Sequence, residues 1–181
     1  MKKLFPSFAN PATWRTPNDA EKLNQEEWKE LRRKILQRDD YTCGYCGFRA
    51  EKFQIVHHID GNHANNNEDN LETVCPMCNL VHHAGQGCVV QGIVDLYEKS
   101  NYSQNEIITI TRKMRAQGKR DEEIIKSLGL KTKVSFEMDK DYLRKLFGFV
   151  TSRKAKEDQM TDRALAYVYD IQKLNDAEGV L

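Results

Sequence analysis

A chain of 181 residues with 39% apolar and 30% charged side chains is long enough to bury a core of its own, and its net charge of +1 excludes a uniformly basic or acidic protein. No apolar run approaches the roughly 18–20 residues that a membrane span needs. Pro6 and its polar neighbours interrupt the signal-like opening Met1-Lys2-Lys3-Leu4-Phe5, so a cytoplasmic protein without membrane insertion is expected. The charge is unevenly spread. Residues 41–100 hold three Lys/Arg against seven Asp/Glu, residues 112–156 fourteen against six, and the last 25 return to acidic.

Taken in order, residues 1–20 contain three prolines and read as an irregular arm that packs through Phe5, Phe8 and Trp14. From Asn18 to Gln37 the spacing of Leu23, Trp28, Leu31 and Ile35 predicts a helix, with Asn18 or Asn24 as its cap. Phe53 to Ile59 is β-branched and aromatic enough for a strand, which Asp60-Gly61-Asn62 ends in a turn. The polar run Asn65–Asn70 is a loop, Leu71 to Val74 a short second strand, and a helix starts near Met77 carrying Asn79, His82 and His83.

From Ile93 onward a mostly helical region is expected. Ser103 and Glu106 form a capping-box pattern opening a helix to Gln117; further helices are predicted over Asp121–Leu128, Asp139–Thr151 and Thr161–Leu174. The basic stretch from Arg112, Lys113, Arg115 and Lys119 to Lys131 and Lys133 suits contact with a phosphate backbone, or simply a solvated helical surface. The stretch from Ile110 to Leu130 is similar to the opening of a helix-turn-helix, although Lys131 to Met138 reads as extended rather than helical.

Between arm and helices lies the chemistry. Cys43-x-x-Cys46 and Cys75-x-x-Cys78 stand 28 residues apart and together hold four of the five cysteines. Two such pairs, each chelating from a tight turn eased by Gly44 and Gly47, predict a closed tetrahedral zinc site. Cys88, the odd one, reads as a small apolar residue. A closed zinc site leaves the five histidines for other work.

The residues Cys43, Cys46, His57-His58-Ile59-Asp60-Gly61-Asn62, Asn65-Asn66, Asn70-Leu71, Cys75, Cys78 and Asn79 resemble the HNH endonucleases that carry a four-cysteine zinc. The resemblance implies an α+β chain: a small zinc-stabilised ββα-metal module over 41–92, an N-terminal arm and helix over 1–40, and a helical region over 93–181. It implies His58 as the general base that takes a proton from water attacking phosphorus, a task suited to imidazole. His57, where most members have Asp, and Asn79 would hold a divalent cation, and Asn70 would pin the loop that orients the base. An imidazole at 57 tilts such a site from Mg²⁺ towards Mn²⁺, Ni²⁺ or Zn²⁺. His63, His82 and His83 are expected as surface or secondary contacts.

A second resemblance runs through Trp14-Arg15, Lys34 to Asp39, Tyr41-Thr42-Cys43, Cys46-Gly47-Phe48, Asp60-Gly61, Asn65-Asn66 and Asn70-Leu71 into the helical half. These are similar to the IcmJ/DotN component of type IVB secretion systems, an HNH-derived zinc scaffold without the His-His pair. Three functions therefore stand open: a metal-dependent DNA endonuclease, a non-catalytic zinc protein of a larger coupling assembly, and a nucleic-acid-binding zinc module that does not cleave.

Overall fold

Two acidic residues at the start, Arg38 at the end and apolar Leu31, Ile35 and Leu36 at helical spacing make the first helix, α1 (Glu26–Arg38), whose end charges suit its dipole. The computed structural model describes residues 1–8 and 25–154. Asn18, Asn24, Trp14 and the helix expected at Thr161–Leu174 lie outside them. Two strands follow, β1 (Ile55–His58) and β2 (Leu71–Val74), paired antiparallel with His57 opposite Glu72 and His58 opposite Leu71. Then comes α2 (Pro76–His82), with Cys75 at its N-cap and Pro76 at its first position, where a missing N–H costs nothing.

The α1 helix lies across one face of the hairpin. Ile35, Leu36, Val56 and Leu71 form a small buried cluster with Trp28, Leu31 and Tyr41 against it. The end of α1 is latched there. Arg38 donates to the carbonyls of Glu68 and Leu71 and to Asp39 Oδ1, while Asp39 Oδ2 accepts from the Thr73 N–H.

Beyond a π-helical turn at Gln86–Val90, the chain departs from the helical run expected after Ile93. It forms β3 (Val94–Lys99), α3 (Gln104–Ala116), α4 (Asp121–Leu128), β4 (Lys131–Val134), a four-residue α5 (Lys140–Leu143) and β5 (Phe147–Val150). The strands make an antiparallel sheet in the order β4-β3-β5. The α+β class holds, but the helix predicted over Asp139–Thr151 is corrected to one turn and a strand. Leu143 and Leu146 are spaced as a helix would space them, yet Phe147-Gly-Phe-Val pairs with Val94–Tyr97 instead. The helix-turn-helix likeness ends in the same way, because Lys131–Val134 is a strand where a recognition helix would stand.

The sheet divides two cores. Val94, Leu96 and Val150 face the zinc knuckles with Val74, Val81 and Ile108, whereas Tyr97 and Phe149 face Ile107, Ile124 and Leu128 of α3 and α4. The arm is stitched between the two halves. Leu4 is buried, its N–H reaches Asn105 Oδ1, and Asn105 Nδ2 returns to the carbonyls of Lys2 and Tyr45. Phe8 meets Phe136 edge-on at 6.3 Å, as part of the packing expected of the arm. No helix among the described residues is long and apolar enough to cross a membrane.

The two α3 and α4 boundaries follow local chemistry. The Ser103/Glu106 capping box is formed, and α4 stops at Gly129 with φ +65°, a conformation that costs other residues strain. Less local is Gln104 on α3, whose side-chain amide donates to Gly148 O (2.8 Å) and accepts from Gly148 N (2.6 Å), closing the outer edge of β5. Gln104→Ala strands both backbone groups in a buried site. It is expected to lower stability by about 1–3 kcal/mol, read as an earlier urea midpoint at unchanged slope.

Candidate active site

The first knuckle is a tight turn in which Cys43 N–H reaches Phe48 O and Gly47 N–H reaches Cys43 O, with Gly47 at φ +70°. The second is the start of α2, where Cys75 caps the helix and Cys78 sits in its first turn. Their four Sγ atoms lie within 4.8 Å of one another, and Cys43, Cys75 and Cys78 are buried. Among the described residues they are the one set of three or more Cys, His or carboxylate groups close enough to share an ion. Sulfurs so placed ionise in sequence: hydrogen bonds from Cys46 and the others pull Cys43 down, and bonding to that charge pushes Cys75 and Cys78 up. The cluster is thus positioned for a zinc ion, which holds all four as thiolates.

Arg112 of α3 supports it. The guanidinium donates to Cys75 Sγ at 3.2 Å and stacks over the Phe48 ring, 3.6 Å from its centroid. Of the basic residues picked for DNA, Arg115 is likewise tied inward, to Asp121 and to Val150 O. Lys119 pairs with Glu123 and Lys133 with Asp95, whereas Lys113 and Lys131 are exposed.

The period of β1 sends its two histidines to opposite faces. His58 turns to α1, where its ring stacks on Trp28 (centroids 5.6 Å apart, planes 10° apart) and Nε2 meets Asn66 Oδ1 at 3.0 Å. Next to it the 59–70 loop is closed by Asn70. Its Nδ2 donates to Asp60 Oδ1 and Asn65 O, its Oδ1 accepts from Asp60 N–H, and its carbonyl accepts from Ile59 N–H. These bonds, with those from Asn62 and Asn65, hold the Asp60 carboxyl below its ordinary range. The groove along this loop is lined by Ile59, Asn65, Asn67, Glu68, Asp69 and Asn70, a lining whose carboxylates disfavour a phosphate.

His57 turns to α2. Its ring lies 5.0 Å from His82, nearly parallel, and 5.1 Å from His83 at a steep angle. The His83 N–H bonds Asn79 O, so the two share one helix face a turn apart. Sequence reasoning left His83 aside, although the four-residue step from Asn79 was there to be read. His82 is half-buried against Tyr45; desolvation lowers its pKa to about 4, and its Nε2 has no hydrogen-bond partner among the described residues. His57 and His83 thus meet across the hairpin, with Asn79 one helical turn before His83, and two imidazoles suit a borderline divalent cation.

Antiparallel β1–β2 followed by α2, with zinc thiolates at the base and paired histidines at the strand end, defines a ββα-metal nuclease-type module. A family model for HNH endonuclease matches residues 43–85. A probable HNH endonuclease of Lactococcus phage SK1 is 35% identical over 63 residues, covering 30% of this chain and 67% of that protein. The type 4 apparatus protein DotN of Legionella pneumophila is 43% identical over 71 residues, covering 39% of this chain but about a third (32%) of DotN. The chain belongs to the HNH endonuclease family.

Removing one thiolate tests the zinc cluster. Cys78→Ser is expected to lose the metal and melt the knuckles and α2, because binding free energy at such sites is folding free energy. Elemental analysis and circular dichroism check this, and one zinc per chain in a folded Cys78→Ser protein contradicts the four-thiolate site. Arg112→Ala should keep its zinc but surrender it faster to a chelator, since the donor to Cys75 is gone.

Proposed function

We propose that the chain is a metal-dependent DNA endonuclease that hydrolyses phosphodiester bonds with His58 as general base. The observation that carries this is the setting of His58, stacked on the Trp28 ring with Nε2 against Asn66 Oδ1, one residue from the His57–His83 contact. An Nε2–H donated to Asn66 fixes the tautomer whose Nδ1 lone pair takes the proton of the attacking water. The water oxygen forms the new P–O bond as the bond to the 3′ oxygen breaks. Asn70 keeps the loop bearing Asn66 in register with β1 through Asp60 and Asn65. His57, Asn79 and His83 would hold a divalent cation, Mn²⁺ or Mg²⁺ or a softer Ni²⁺ or Zn²⁺, which stabilises charge on the phosphate and the leaving oxygen when bound.

A second reading, a binding protein within a larger assembly, is favoured by the likeness to DotN and by the inward ties of Arg112 and Arg115. Retention of His57, His58, Asn70 and Asn79 favours chemistry.

A plasmid-nicking assay with Mg²⁺, Mn²⁺ and EDTA separates the two. Wild type is expected to nick with a divalent cation and stop in EDTA. His58→Ala should lose about 10²–10⁴-fold in rate at unchanged zinc content. Asn79→Ala and His83→Ala should instead raise the cation concentration needed for half-maximal cleavage. Wild type that cuts neither plasmid nor single strands with any divalent cation sinks the nuclease reading in favour of the assembly one.

Binding carries its own signature. Affinity for duplex DNA should fall linearly in log–log form with salt, each neutralised phosphate contributing a slope of about −0.9. Lys113→Glu and Lys131→Glu, both exposed, should shallow that slope, whereas salt-independent binding points away from the backbone.

A further inference from the structure

Directly across the hairpin from His57 lies a carboxylate that the nuclease chemistry does not use. Glu72 is buried, 5% exposed, in a strand whose four residues are all buried. A carboxylate there is costly unless its lone pairs are filled, and three side chains fill them. Tyr45 Oη donates to Oε1 at 2.7 Å, Lys2 Nζ donates to Oε2 at 2.6 Å, and His57 Nδ1 lies 3.3 Å from Oε1. The last contact is at the long end for N–H···O, as expected where one oxygen is shared by two donors.

With a phenol and an ammonium both donating to it, the carboxylate has only acceptor capacity left. A ring nitrogen in contact with it must then be the protonated one. The remaining freedom of the His57 ring is small, since it lies nearly flat on His82 and meets His83 at a steep angle. A filler with no bearing on His57 would not need its oxygen placed opposite the imidazole in strand register.

We infer that Glu72 is a positioning residue: its carboxylate accepts the Nδ1 proton of His57, so that Nε2 keeps the lone pair and the ring is held against His83 as a ligand in the making. This rests on the nuclease reading for its purpose, though not for its geometry. The arrangement is a carboxylate–histidine pair of the kind that orients metal-binding imidazoles from behind. It also links three remote pieces of chain. Tyr45 belongs to the first zinc knuckle, and Lys2 belongs to the arm, whose backbone N–H bonds Gly44 O in that same knuckle. Zinc knuckle and arm therefore hold Glu72, and Glu72 holds His57.

The test uses the full zinc-loaded chain. Long-range ¹H–¹⁵N correlation spectra, recorded without other divalent cations, report the tautomer of each histidine. Wild type should show His57 as the Nδ1–H form, and Glu72→Gln should move it towards Nε2–H or a mixture. Tyr45→Phe removes only the competing donor and should leave the tautomer in place. Titration with Mn²⁺ by calorimetry supplies the second arm: Glu72→Gln should bind about 10–100-fold more weakly than wild type, with zinc still at one per chain. A wild-type His57 in the Nε2–H form overturns the inference, and that spectrum decides even if Glu72→Gln fails to fold. An unmoved tautomer in folded Glu72→Gln, or equal Mn²⁺ affinity in the two proteins, overturns it too while leaving the nuclease reading intact. If wild type shows the Nδ1–H form but neither binds nor cleaves with Mg²⁺, Mn²⁺, Ni²⁺ or added Zn²⁺, the nuclease reading fails and the positioning by Glu72 stands.

Discussion

Four sulfurs drawn within 4.8 Å of one another govern most of what surrounds them. They join a turn after α1 to the start of α2, two pieces of chain that the long 59–70 loop would otherwise leave to drift. Four thiols cannot all ionise in so small a volume on their own, so a zinc ion converts mutual repulsion into a cross-link. The consequences run outward. With α2 anchored at Cys75 and Cys78, Asn79 and His83 stand at set heights opposite β1. With the first knuckle anchored, Tyr45 meets Glu72, and the arm finds Gly44. Arg112 then carries the tie across to α3, where its charge offsets that of Cys75.

The hairpin adds a constraint of a different kind. Consecutive strand residues point to opposite faces, so His57 and His58 cannot share one environment. One is placed against imidazoles and a carboxylate, the other against an indole and an amide. The peptide geometry of a two-residue step accomplishes this without any loop rearrangement.

The three-stranded sheet is what the zinc module leans on. Val94, Leu96 and Val150 offer it an apolar face, and the opposite face closes on α3 and α4. The edge of β5 is blunted by Gln104 rather than by another strand, which removes a template for unwanted pairing. Much of the positive charge in residues 112–156 is taken up in holding this assembly together. Arg115 and Arg153 bond Asp121 and Asp95, so charge counted along the chain overstates what is offered to a partner.

Local chemistry made part of this legible from the residues alone. Paired Cys-x-x-Cys turns, the β-branched run ahead of His57-His58, the Ser103 capping box and the Gly129 stop each act within a few residues, and each formed where it was expected. The role of Asn70 as a loop clasp also lies close in sequence to its partners Asp60 and Asn65. What the tertiary structure alone decided depends on groups far apart in the chain. Phe147–Val150 is a strand only because β3 offers it a ladder, and Gln104 matters only because Gly148 lies across from it. Arg112 looks like a DNA contact until the fold brings it to Cys75, 37 residues away. His83 becomes a ligand candidate, and Glu72 its neighbour's support, only once the hairpin has closed over α2. Periodicity and spacing report what a residue can do with its near neighbours; pairing, burial and charge compensation across the chain settle what it does.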